Sequence, residues 1–170
     1  MRRRQKSMRW DTWHYGAAGY YFVTICTFGR KCLFNDATFK AIVESCWQRI
    51  PTFKSAIIVQ LDAWVVMPNH VHGIIVIVEG YDVDDKRPNK TISGTVGALV
   101  GKFKAAVTKR INNLQDTKGQ TIWQRGYYDR VIRNETELNA IRKYIAQNPA
   151  RWAEDRENLD TLLSRMTDHS

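Results

Sequence analysis

Two hydrophobic periods alternate along the chain. Residues 20–28 (YYFVTICTF) are β-branched and aromatic, with Gly19 before them and Gly29 after, which predicts a first strand. Over residues 36–49 the apolar positions Phe39, Ile42, Val43, Cys46 and Trp47 recur at helical spacing, with Ile50 just beyond and Pro51 as the stop. Residues 56–67 predict a second strand that turns at Pro68-Asn69 into a third over 71–78. The polar stretch 79–90 reads as a loop. A second helix follows over 93–112, where Val96, Leu99, Val100, Phe103, Val107 and Ile111 form one stripe. After another loop at 115–120, residues 127–132 predict a fourth strand and 135 to about 147 a third helix. Strand-helix-strand-strand-helix-strand fits an α+β, ferredoxin-like split βαβ fold: one antiparallel sheet with helices on one face, plus a further C-terminal helix.

A chain of 170 residues suits a single domain, here expected over 19–152 between a basic arm (1–18) and a tail (153–170). No run approaches the ~18–20 apolar residues of a membrane span. The basic start, MRRRQKSMRW, has no apolar segment behind it and does not read as a secretory signal. Cys26, Cys32 and Cys46 show no CxxC spacing, which suits a reducing cytoplasm rather than a disulfide or zinc framework. The formal charge of +9 favours a polyanionic partner, although charge gives only the class of partner, which a ribosomal or membrane-surface protein would share; DNA and no membrane is the expectation.

The most informative segment is WVVMPNHVHGIIVIV, Trp64 to Val78. Side chains at i and i+2 of a strand point the same way, so His70 and His72 leave one face side by side while Val71 packs on the other. Burying imidazoles costs free energy unless their nitrogens are satisfied, and a metal ion would do so. A partner for the pair appears in RKYIAQNPA, where Tyr144 and Asn148 lie four residues apart on one face of the third helix. Tyr144 has the chemistry of a nucleophile and Asn148 that of a ligand to the same metal. Both also fit a plain structural role, Tyr144 packing with Ile141 and Ile145 and Asn-Pro ending the helix.

These blocks together carry a resemblance. YFVTICTFGR, VVMPNHVHGII, WQRGYYDRVIRN and YIAQNP, in that order over about 20–151, resemble the REP-associated tyrosine transposases. These are bacterial relatives of the single-tyrosine HUH transposases, whose His-hydrophobe-His signature His70 and His72 match. The resemblance implies that His70 and His72 are metal ligands, Tyr144 the nucleophile and Asn148 the third protein ligand. Insertion-sequence relatives use a glutamine where Asn148 stands, so the shorter amide beside Pro149 is a departure, and Gln147 is the alternative ligand. The resemblance also implies imperfect palindromic hairpins of single-stranded DNA as substrate, cleaved and rejoined through a 5′-phosphotyrosine.

Two imidazoles and one amide carry no charge, so such a site holds a cation weakly until phosphate joins it, and Mg²⁺ or Mn²⁺ is expected. For DNA contact the candidates are Lys102, Lys104, Lys109 and Arg110 on the second helix, with Trp123, Arg125, Tyr127, Tyr128, Arg130 and Arg133 as mixed cations and aromatics. Arg2, Arg3 and Arg4 read as a DNA-contacting arm or a tail. Self-association into a homodimer is left open. Two rivals are a catalytically silent hairpin-binding protein on the same fold, and a zinc hydrolase using Asp62 with the histidines, for which no HExxH exists.

Overall fold

In the computed structural model, residues 18–53, 58–79 and 96–152 are described. Seven principal elements run β1 (Gly19–Cys26), α1 (Ala37–Gln48), β2 (Ile58–Met67), β3 (His70–Glu79), α2 (Val96–Leu114), β4 (Tyr128–Ile132) and α3 (Glu135–Gln147). The strands form one sheet in the order β2-β3-β1-β4, every neighbouring pair antiparallel. This is the expected split βαβ arrangement, with β3 inserted between β1 and β2. The arm, the tail, the loop at 80–90 and the expected starts of strand two and helix two lie outside the described residues. Among the described residues no helix is long and apolar enough to cross a membrane.

Alternation along the strands divides the sheet into two faces. Tyr21, Val23 and Ile25 of β1 and Val71, Ile75 and Ile77 of β3 join Val43, Trp47, Leu99, Phe103 and Val107 of α1 and α2 in the larger core. On the other face Phe22 and Ile74 meet Leu138, Ile141 and Ile145 of α3. The first two helices thus share a face, and the third covers the opposite one. That separation is what makes the central strands apolar on both sides.

Local chemistry sets the helix ends. The Asp36 carboxylate caps α1 by accepting from the N–H groups of Thr38 and Phe39 at 2.8 and 3.1 Å. Asn134 caps α3 by accepting from Glu137 N–H at 2.8 Å, while Glu137 accepts from Arg133 N–H at 3.1 Å and pairs with Arg130 on β4. A bulge between Leu61 and Trp64, where three steps of β2 oppose two of β3, leaves both side chains packed on the larger core.

Gly73, directly after His72, is set by packing. A Cβ there would lie 2.1 Å from Cζ2 of the buried Trp47, whose indole fills the space over this strand. Apolar surroundings leave the Trp47 N–H without a hydrogen-bond acceptor, a cost the fit of the ring has to offset. Gly73→Ala should therefore lower stability by about 2 kcal/mol or more, since overpacking costs ~1–3 kcal/mol and the clash is with a rigid ring. Urea unfolding of wild type and variant measures this; an unchanged midpoint would mean that Trp47 has room to move.

Candidate active site

His70 and His72 begin β3, on the face covered by α3, and are 1% and 0% exposed. Such burial requires an answer for four ring nitrogens. Nδ1 of His70 donates to the side-chain oxygen of Asn69 at 2.6 Å, and Asn69 is oriented by its own amide N–H donating to the Arg30 carbonyl at 3.3 Å. Nδ1 of His72 lies 2.8 Å from the Thr24 hydroxyl, across the β1–β3 pairing in which Thr24 is its partner. The two Nε2 atoms then converge, 3.0 Å apart. Two nitrogens each ~2.1 Å from one cation, at right angles, stand about 3.0 Å apart, so this spacing suits a shared ion. The Asn69 oxygen, which can only accept, keeps a proton on Nδ1 of His70 and so directs that ring's Nε2 lone pair inward.

Tyr144 enters from α3. Its hydroxyl lies 3.4 Å from Nε2 of His72. Phe22 holds both groups, stacking on His72 at 5.6 Å and meeting Tyr144 edge-on at 6.4 Å. Trp152, just past the helix, stacks on His70 at 6.0 Å. Asn148 is 1% exposed; its amide N–H donates to the Tyr144 carbonyl at 3.4 Å, and its oxygen has no hydrogen-bond partner. A buried amide oxygen left unsatisfied is costly, and a cation beside it would remove that cost. Gln147 is half-buried. Pro149 does not unwind the last turn: Asn148 stays helical (φ −57°, ψ −45°), and Pro149 starts a short 3₁₀ turn, where its missing N–H costs nothing.

Among the described residues no group of three His, Cys, Asp or Glu could hold a metal ion. Asp62, the acid required by a zinc hydrolase, is instead held by Arg142 through two hydrogen bonds of 2.8 and 2.6 Å. This pair ties α3 to the β2 bulge.

The expected DNA contacts divide. Lys102, Lys109, Arg125 and Arg133 are exposed. Trp123 is corrected from surface platform to core residue: it is 7% exposed, lies 5.4 and 5.6 Å from Phe34 and Phe103, and donates to the Lys104 carbonyl. Lys104 is half-buried, its ammonium donating to the carbonyls of Gln124 and Gly126 at 2.8 and 2.6 Å, with burial pushing its pKa down. Arg110 reaches Ser45 on α1 at 3.1 Å, and Arg130 pairs with Glu137. Tyr127 packs on the larger core and Tyr128 on the α3 side, where burial pushes its phenol pKa up. The stripe of lysines on α2 lies across the sheet from Tyr144.

Comparison with known proteins follows the same lines. A family model described as "Transposase IS200 like" matches residues 17–148. The chain belongs to the IS200-like transposase family. An uncharacterized protein of Haemophilus influenzae is 34% identical over 92% of this chain and 94% of its own length. The fold is shared with a REP-associated tyrosine transposase solved bound to a REP hairpin, at a TM-score of 0.61 and 19% identity, over 85% of this chain and 74% of that one. Thr24, Asn69, Phe22 and Trp152 were missed as site residues in the sequence, although Asn69 stands inside the motif and Thr24 inside the first strand.

The Asp62–Arg142 pair has a pH signature. Arg142 holds the Asp62 carboxyl below its ordinary value. A depressed carboxylate contributes stability that is present above the unfolded pKa of ~3.9 and is lost as pH falls through the lower folded value. Asp62→Asn should thus be less stable than wild type at pH ~7, with the gap closing below pH ~4. Urea midpoints at the two pH values test this; a gap that persists in acid would assign the loss to shape rather than charge.

Proposed function

We propose that this IS200-like transposase is a metal-dependent transesterase that cleaves and rejoins hairpin-bearing single-stranded DNA through Tyr144. The observation that carries the reading is the convergence of Nε2 of His70, Nε2 of His72 and the Tyr144 hydroxyl at 3.0 and 3.4 Å on one buried sheet face. Four hydrogen-bonding and packing partners, Asn69, Thr24, Phe22 and Trp152, support that arrangement.

His70, His72 and the Asn148 oxygen would hold Mg²⁺ or Mn²⁺, and this ion would neutralise and orient the scissile phosphate. Tyr144 supplies the nucleophile. Its phenolic oxygen forms the new bond to phosphorus while the 3′ oxygen leaves with the electron pair; the phenol proton passes to solvent, and the 3′ alkoxide takes one from solvent. A 5′-phosphotyrosine keeps the phosphodiester energy, so a later DNA hydroxyl can displace Tyr144 and join strands with no ATP. The solved structure that shares this fold carries a REP hairpin, which supports a hairpin substrate here.

Incubation with Mn²⁺ and end-labelled hairpins, taken from inverted repeats beside the gene, should give a covalent adduct on a denaturing gel. Tyr144→Phe should abolish the adduct and retain hairpin binding, and His70→Ala or His72→Ala should reduce cleavage by about 100-fold or more. Hairpin binding with no adduct from wild type at any Mn²⁺ concentration would favour the silent DNA-binding alternative instead.

The third ligand is separable by titration. Asn148→Ala should raise the Mn²⁺ concentration for half-maximal cleavage about tenfold or more, while Gln147→Ala leaves it near wild type. The opposite ranking would transfer the ligand role to Gln147.

A further inference from the structure

The turn that ends β1 is built more firmly than a connecting loop requires. Thr27 N–H donates to the Asn69 carbonyl at 2.9 Å, and its hydroxyl lies 2.7 Å from the Lys31 carbonyl and 3.1 Å from that of Asn69. Phe28 N–H donates to Ile122 at 2.9 Å, and Gln124 N–H to Cys26 at 2.9 Å. Gly29 and Arg30 both take left-handed backbone angles, φ 62° and 53°. For Arg30 this conformation is uncommon and is retained where surrounding bonds impose it.

What this rigid turn displays is an aromatic ring and cations. Phe28 is 53% exposed, and Lys31 is exposed beside it. Arg125 is exposed on the adjoining segment, where Lys104 clamps the carbonyls on either side of it. The position relative to the site is set by register. Cys26 pairs with His70, so Phe28 stands two residues, at most ~7 Å of strand, beyond the histidine row. Thr27 is still extended (φ −69°, ψ 155°), so Phe28 follows the end of β1 directly, two residues past Cys26, which packs on the histidine face. The link is also direct: the Arg30 carbonyl orients Asn69, and Asn69 orients His70.

We infer that the Phe28–Lys31 turn is a contact surface for the single-stranded DNA adjoining the scissile phosphate. Phe28 stacks on one base, and Lys31 and Arg125 meet the phosphates beside it. This rests on reading His70, His72 and Tyr144 as a DNA-cleaving site. Stacking on an aromatic is tolerant of sequence because every base has a π face, and a pre-ordered turn loses little conformational freedom on binding. The turn therefore grips the strand at the site without reading it, leaving sequence choice to other contacts.

The test compares a blunt DNA hairpin with the same hairpin carrying an oligo(dT) tail, using fluorescence anisotropy on the full chain in a Tyr144→Phe background. Phe28→Ala should weaken the tailed hairpin about tenfold, the size of one base–aromatic contact, and leave the blunt hairpin unchanged. Phe28→Trp should restore the tailed affinity, a rescue that a merely structural role would not give. Lys31→Ala should lower the slope of log affinity against log salt by about 0.7 for the tailed hairpin only. Tailed affinity within about twofold of the parent in both Phe28→Ala and Lys31→Ala would overturn the turn's role while leaving the active-site reading intact. If the parent binds neither hairpin, the functional reading fails, and the turn's role with it.

Discussion

Everything at this site follows from burying two imidazoles side by side in the middle of an apolar sheet. Four nitrogens removed from water need partners, and the fold serves the two outer ones with Asn69 in the β2–β3 turn and Thr24 on the neighbouring strand, and brings the Tyr144 hydroxyl to Nε2 of His72. The remaining two nitrogens are left facing each other at 3.0 Å. Nitrogens so placed need a proton or a cation between them, since two facing lone pairs would repel. The apolar neighbours, Phe22 beneath His72 and Trp152 over His70, keep water from being the easy answer.

The same strand has to be read twice, once for each face. His70, His72 and Ile74 look toward α3, whereas Val71, Gly73 and Ile75 look toward α1 and α2. Gly73 is where the two demands meet, because the ring of Trp47 occupies the volume a side chain would need. The pressure of the larger core thus reaches the backbone between the second histidine and the rest of the strand. A residue that contributes no chemistry is held to one identity by packing alone.

Much of this was legible from residue pattern. Period-2 and period-3.6 runs located the strands and helices, and the strand–helix order fitted the observed sheet; the His70–His72 pairing needed only alternation. Asn69 and Thr24 were not legible as partners, because a side chain's hydrogen bond across strands depends on register, and register is a property of the folded sheet. The placement of the basic residues was hidden for a related reason. Charge pattern cannot say that the α2 lysines lie across the sheet from Tyr144, nor that Lys104 gives two of its three donors to backbone carbonyls. Trp123 fits a stacking platform in sequence, yet its neighbours Phe34 and Phe103 occupy it completely enough to leave 7% exposed. The face taken by α3 also needed the structure, since an amphipathic stripe names a buried side but not the surface it meets.

Placing the proposed nucleophile on a helix and the histidines on a strand separates two requirements. The histidines need rigidity, which the central strand provides through pairing on both sides. In the proposed reaction Tyr144 needs accurate placement against them, because a reacting atom displaced by about 1 Å loses rate steeply. Helix α3 is therefore fastened at three points: Arg130 to Glu137 at its start, Arg142 to Asp62 at its middle, and Leu138, Ile141 and Ile145 along its buried stripe. The two ionic contacts lie on different strands, β4 and β2, at opposite edges of the sheet. A helix pinned to both edges cannot swing about its apolar contact, so its orientation is set by charge while its attachment is set by hydrophobic burial. Neither kind of contact touches the histidines or the Tyr144 hydroxyl, and both decide where that hydroxyl stands.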